Sequence, residues 1–249
     1  ALVMEKISHV LDQPFADSSI VPTYLLAKFA RENLIVALGG DGGDEVFGGY
    51  DRYLAAPLLQ KTNPFLGLAQ TGLGLVGALS GTKQRKFKRL QSQLKYEPNL
   101  ASRYSSILSL TQSEELKTLL QPNFYSNHAH LKYLDEFSLG EVSGLDRMTR
   151  SDLISYLPGD LLVKVDIATM ANSLELRSPM LDVTVVEWGL SLPRQYKIKG
   201  TETKHILKDV ARSLVPRELI DRPKMGFGIP RAEWLRNEMK EMSFELLTD

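Results

Sequence analysis

The sequence predicts a mainly α-helical chain that carries one strand of an incomplete parallel α/β sheet. Three observations predict it. Apolar residues recur at helical spacing over most of the 249 positions. One uninterrupted apolar run, "LIVAL" at 34–38, is too short for a helix and rich in β-formers. Directly behind it, "GGDGGDEVFGGY" at 39–50 packs six glycines and three carboxylates into one loop and the start of a helix.

Element by element, "LVMEKISHVLDQ" opens as a helix, and the chain enters it straight from Ala1, as expected of a piece whose beginning lies upstream. In "VPTYLLAKFAREN" at 21–33, Val21, Tyr24, Leu25 and Phe29 fall roughly on one helical face. "LIVAL" lacks polar alternation, as expected of a strand buried on both faces. "EVFGGYDRYLAAPLLQ" resumes helical spacing, so helix, strand, loop and helix form half of a parallel α/β arrangement. Ligands in such sheets bind beyond the carboxyl ends of strands, where Gly39–Glu45 lies.

After residue 50 no second parallel strand is expected. "TKQRKFKRLQSQLKYEP" reads as a basic, solvated helix. "NLASRYSSILSLTQSEELKTLLQP" reads as two helices, the second capped by Thr111 or Ser113 with Glu114 and Glu115 in its first turn. Residues 143–181 read as helix interrupted at Leu157–Gly159, where Pro158-Gly159 predicts a turn. "VVEWGLSL" is expected as a helix, "QYKIK" as an extended piece and "TKHILKDVARSLV" as an amphipathic helix. Pro230 suits the first position of a last helix, "RAEWLRNEMKEM". No repeat or linker divides the chain, so 1–249 is expected as one domain.

Thirty basic residues balance thirty acidic ones, which gives no sign of a nucleic-acid partner. The absence of cysteine excludes disulfides, thiolate zinc sites and thiol catalysis in these residues and fits a reducing, cytoplasmic setting. His128 and His130 lack a third ligand at metal spacing. The most apolar stretch, 65–80, is shorter than the ~20 residues of a membrane span and is broken by four glycines.

A run of glycines needs positive φ or close approach of the backbone to something. The loop is therefore either an awkward turn or a surface laid against a ligand. Amides at the entry to a helix suit phosphate. Asp41, Asp44 and Glu45 would repel a bare phosphate, so a phosphate there implies a bridging Mg²⁺. A second candidate, "PGDLLVKVDIATMANSLELRSPMLD" at 158–182, sets Lys164, Asp166, Glu175, Arg177 and Asp182 among apolar neighbours, either as an ion-pair network or as a site. Glu175 and Arg177 could staple a helix end. The third, "DRPKMGFGIP" at 221–230, is a surface loop or a lid that carries Lys224 to a phosphate.

Together "ALGGDGGDEVFGGYDRY", "LPGDLLVKVDIATMANSLELRSPMLD" and "RPKMGFGIPRAEWLR", in this order, resemble the synthetase domain of glutamine-dependent asparagine synthetases, as does "LDQPFADSSIVPTYLL". The resemblance implies the C-terminal helical part of an α/β adenine-nucleotide-binding domain of the PP-loop ATP-pyrophosphatase type. It implies aspartate, ATP and ammonia as substrates, a β-aspartyl-AMP intermediate, pyrophosphate release, and ammonia from an N-terminal glutaminase domain of the same polypeptide, with a homodimer possible. Asp41 then matches the carboxylate expected to act as base in the ammonia step. Asp44 matches the Mg²⁺ ligand, and Gly40, Gly42, Glu45 and Lys224 match positions expected on ATP or pyrophosphate. Gly39 stands where the family commonly has serine, and Ile167 where many members carry Lys or Arg. Lys164, one turn before Ile167, is the expected substitute cation. The family's "SGGxDS" loop and glutaminase cysteine are not in these residues, so this chain alone is expected to make no asparagine. A relative that amidates a sugar uronate or a peptide, or a non-catalytic interaction module, would share these motifs.

Overall fold

The computed structural model describes residues 2–57, 104–105, 107–109, 111, 113–125, 144–222 and 227–248. The readings at 65–80 and at the basic segment, and those on His128, His130 and Lys224, lie outside the described residues. The chain divides into two compact units: Ala1–Gly43, Tyr156–Gly189 and Leu207–Asp249 form one, Asp44–Ser155 and Leu190–Ile206 the other.

In the first unit, α1 (Leu2–Val10) and α2 (Ile20–Arg31) precede strand β1 (Val36–Leu38). The buried face of α2 is Ile20, Val21, Tyr24 and Ala27, whereas Leu25 and Phe29 are exposed. The expected stripe was thus half right. The partner of α2 is the helix Val163–Met170, and Ile7, Ile20, Val21, Tyr24 and Ala168 close one cluster with Ile167 packed against it.

The second unit receives the chain at α3 (Gly43–Phe47), only five residues long, which stops at the Gly48-Gly49 pair. A 3₁₀ turn, Asp51–Ala55, follows, so the continuous helix read from "EVFGGYDRYLAAPLLQ" is in fact broken. Helices α4 (Ser113–Leu119) and α5 (Gly144–Ile154) belong here too, and α4 begins where its cap was expected. Tyr53, Ala56, Tyr104, Leu145, Met148 and Ile198 form the core.

Back in the first unit, the expected turn at Leu157–Gly159 is instead a π-helix, Leu157–Leu162, that runs directly into α6 (Val163–Met170). A proline ring clashes with the i−4 carbonyl of an α-helix, and a wider turn at Pro158 lets the helix continue. The second departure is β2 (Glu175–Arg177), parallel to β1 with Val36 opposite Glu175, Ala37 opposite Leu176 and Leu38 opposite Arg177. A parallel strand therefore does follow residue 50. Three residues, two of them charged, give no hydrophobic pattern to read. Glu175 and Arg177 pair at 2.7 Å on this strand and staple no helix end. Val36 and Leu38 are exposed, so β1 is not buried on both faces among the described residues.

The C-terminal region is helical: α7 (Val183–Ser191), α8 (Arg194–Lys197), α9 (His205–Leu214), α10 (Arg217–Ile220), α11 (Arg231–Arg236) and α12 (Lys240–Thr248). α8 takes most of the piece expected to be extended. The last expected helix is two, broken at Asn237, and Pro230 caps α11 from just outside it.

Gly42 shows why the loop is glycine-rich. Its φ is +86°, and a Cβ there would lie 2.1 Å from Leu181 Cδ2. Gly42→Ala should cost about 1–3 kcal/mol of stability. Gly40→Ala, with nothing within 4 Å of its Cβ position, should cost far less. Urea unfolding of the two variants checks the contrast.

Candidate active site

The first unit carries the opening of the loop. The Gly39 amide donates to the Arg177 carbonyl at 2.8 Å, so the β1–β2 pairing runs one residue past the strand before the chain turns away. Gly40 is exposed, and the Gly43 amide closes a turn onto its carbonyl at 3.2 Å. Asp41 is half-buried beyond the carboxyl end of β1, where the Ser178 hydroxyl donates to Oδ2 at 3.4 Å. Ser178 follows β2 directly, so the parallel pairing brings it to Asp41.

The second unit carries the remainder. Lys204 Nζ lies 2.9 Å from Asp44 Oδ1. Two backbone features make room for this pair. Lys204 sits at φ +52°, rare for a residue with a Cβ, and a Cβ on Gly49 would lie 2.0 Å from Asp44 Oδ1 and 2.2 Å from Lys204 Cε. Sequence reasoning missed Lys204: "TETKH" carries no motif, and the lysine reaches Asp44 only through the fold. Glu45 is buried, and Tyr50 donates its hydroxyl to Oε1 at 2.5 Å. Burial raises the Glu45 carboxyl above its usual pKa, and the Tyr50 hydrogen bond opposes that rise. Glu45 therefore faces protein, not solvent.

Among the described residues no group of three or more His, Asp or Glu is arranged to hold a metal ion. Mg²⁺ in nucleotide sites typically takes one or two carboxylates and fills its shell with phosphate and water. Asp44 fits that role with the phosphates as further ligands, its bond to Lys204 being replaced.

Lys164 and Asp17 form a different cluster, in the first unit. Lys164 is buried and its Nζ lies 2.7 Å from Asp17 Oδ2, while the amide and hydroxyl of Ser19 donate to the same carboxylate. Burial opposes the charge on Asp17, but the hydrogen bonds from Lys164 and Ser19 outweigh it and hold the carboxyl below its usual pKa. Asp160, on the π-helix, is pushed up by burial and by the charge of Asp17. Within this segment Lys164 pairs with Asp17, which lies outside it, and Arg177 pairs with Glu175. Ile167 packs against the apolar cluster of Ile7, Ile20, Val21, Tyr24 and Ala168.

The loop after β1 thus leads to two carboxylates in different settings, Asp44 paired with Lys204 and Glu45 buried. The chain belongs to the asparagine synthase family, whose model, described as Asparagine synthase, matches residues 1–249. It is 35% identical over 241 residues to "Asparagine synthetase [glutamine-hydrolyzing] 1" of Bacillus subtilis, which covers 96% of this chain and 37% of the relative. It is also 35% identical over 238 residues to a "Putative asparagine synthetase [glutamine-hydrolyzing]" of Mycobacterium tuberculosis, covering 94% of this chain and 36% of the relative. The human asparagine synthetase matches over 69 residues at 38% identity, 26% of this chain and 12% of the relative. The chain thus spans little more than a third of the length of the two bacterial relatives. No solved structure matches it.

Lys164→Met should lower stability by about 3 kcal/mol, because it strands the Asp17 charge in a part-buried site. The pH dependence gives the sign. A carboxyl with a depressed folded pKa stabilises above its unfolded value of about 3.8, and that stability is lost as pH falls through the folded value. Wild type should therefore lose more stability than Lys164→Met between pH 6 and 3, as read by urea unfolding. Unchanged stability at pH 6 would show that the Lys164–Asp17 pair contributes nothing to the fold.

Proposed function

We propose that the full-length protein converts aspartate to asparagine with ATP and ammonia, the ammonia coming from glutamine in a glutaminase domain of the same polypeptide. In the first step an aspartate side-chain oxygen attacks the α-phosphorus. A P–O bond forms, the α–β anhydride bond breaks, and pyrophosphate leaves with the electron pair. In the second, ammonia attacks the acyl carbon of the β-aspartyl-AMP, the C–O bond to AMP breaks, and the nitrogen loses a proton.

The observation that carries this reading is the loop beyond β1, with Asp41 held by Ser178 and Asp44 held by Lys204, in a chain of the asparagine synthase family. Asp41 is half-buried and needs only to take one proton from the attacking nitrogen. Asp44 is the residue to hold Mg²⁺, which when bound neutralises phosphate charge. Lys204 then has its ammonium free for the leaving pyrophosphate, where charge gathers as the anhydride breaks. Gly40 and Gly42 keep the loop backbone open to the phosphates, and Lys224 is the further cation of the same chemistry. Lys164, ion-paired with Asp17, is the cation proposed in place of the one absent at Ile167.

Asp44→Asn in the full-length protein should reduce aspartate-dependent pyrophosphate release by about 10²-fold or more while leaving glutamine hydrolysis intact. An amide is a poorer partner than a carboxylate for both Mg²⁺ and Lys204. Wild-type pyrophosphate release in this variant would make the loop structural. Release that depends on a sugar uronate or a peptide carboxylate in place of aspartate would move the reading to another acceptor.

A further inference from the structure

Glu45, Tyr50, Arg52 and Asp152 form a continuous chain of contacts inside the second unit, and the chemistry above gives none of them a role. Asp152 is completely buried. Its Oδ2 receives the Tyr104 hydroxyl at 2.6 Å, Arg52 Nη2 at 2.8 Å and the Tyr53 hydroxyl as well. Its Oδ1 accepts no hydrogen bond among the described residues. Burial works against the charge of Arg52, but Tyr104 and Asp152 beside it hold the guanidinium pKa above its ordinary value.

The guanidinium is fixed at its edge and uses its face. Arg52 Cζ lies 3.8 Å from the centroid of the Tyr50 ring and 5.5 Å from that of Tyr53. A cation over a phenol ring holds the ring in place and draws electron density from its oxygen, which makes the hydroxyl a stronger donor. That hydroxyl is the one bonded to Glu45 at 2.5 Å. Glu45 is buried and needs such a donor, since a buried polar oxygen left without a partner is costly. A charge pair serving only the core would need no stacked tyrosine aimed at the loop.

We infer that Arg52 and Asp152 are positioning residues for the loop carboxylates. Asp152 fixes the guanidinium, the guanidinium fixes the Tyr50 ring, and the Tyr50 hydroxyl anchors Glu45 and thereby α3, which carries Asp44. The effect on turnover rests on the reading that this loop handles ATP. The anchoring of Glu45 does not.

The test uses the full-length protein with Tyr50→Phe, Arg52→Met and Arg52→Lys. Tyr50→Phe keeps the stacked ring and removes only the donor. Arg52→Met removes the cation, and Arg52→Lys restores a charge beside Asp152. Tyr50→Phe and Arg52→Met should each lower kcat for aspartate-dependent pyrophosphate release by about tenfold or more, with KM for ATP nearly unchanged. Arg52→Lys should recover part of the Arg52→Met loss. Amide hydrogen exchange at Val46 and Phe47, on α3, should quicken in Tyr50→Phe and in Arg52→Met alike. If Arg52→Met does not fold, Tyr50→Phe and Arg52→Lys carry the comparison. Wild-type kcat in Tyr50→Phe, or α3 amide exchange unchanged in it or in folded Arg52→Met, overturns the inference. If the wild-type protein releases no pyrophosphate with aspartate, the amidation reading fails by itself, and the α3 amide exchange alone decides whether the anchor exists.

Discussion

The parallel pairing of Val36–Leu38 with Glu175–Arg177 is the contact on which the first unit depends. Parallel strands cannot be joined by a tight turn, so their register is set by the packing of the elements that lead into them. Here that is α2 against α6, whose shared apolar cluster fixes where β2 emerges. Once the register is set, the Gly39 amide meets the Arg177 carbonyl and Ser178 comes within reach of Asp41. A slip of one residue would turn every side chain of β2 to the other face and take Ser178 from its partner.

Each unit also buries charge, and in each the charge is answered. Asp152 has two tyrosine hydroxyls and an arginine, and Asp17 has Lys164 and Ser19. Such pairs contribute little net stability compared with apolar packing, but losing one partner is costly because a bare charge remains. Their geometry is therefore specific. Lys197, fully buried, has its ammonium 3.8 Å from Asp146 and donates to the Leu190 carbonyl at 3.5 Å, and burial pulls its pKa below the usual lysine value.

Asp44 and Glu45 are adjacent in sequence and opposite in environment. Asp44 meets an ammonium in a partly exposed position, while Glu45 is enclosed and hydrogen-bonded by a phenol. A five-residue helix points successive side chains about 100° apart, enough to send one toward a ligand and the other into the core. Two carboxylates in one motif can thus divide the work of binding and anchoring.

Much of this was legible in the residues. Helical periodicity located α1, α7 and α9, and the apolar run followed by glycines located β1 and its loop, because local propensity and burial agree there. Long motifs in fixed order were enough to identify the family. Three things depended on residues far apart in the chain. β2 is two charged residues around a leucine and becomes a strand only by pairing. Pro158 and Gly159 signal a turn, yet the packing of α6 against α2 keeps the helix going through a wider π segment. Lys164 and Lys204 are both lysines in unremarkable settings, and only the fold decides that the first is held by Asp17 and the second by Asp44. Sequence determines which groups are available and what each segment prefers locally; which charge faces which is settled by tertiary packing, since a charge pair depends on distance in space and leaves no period along the chain.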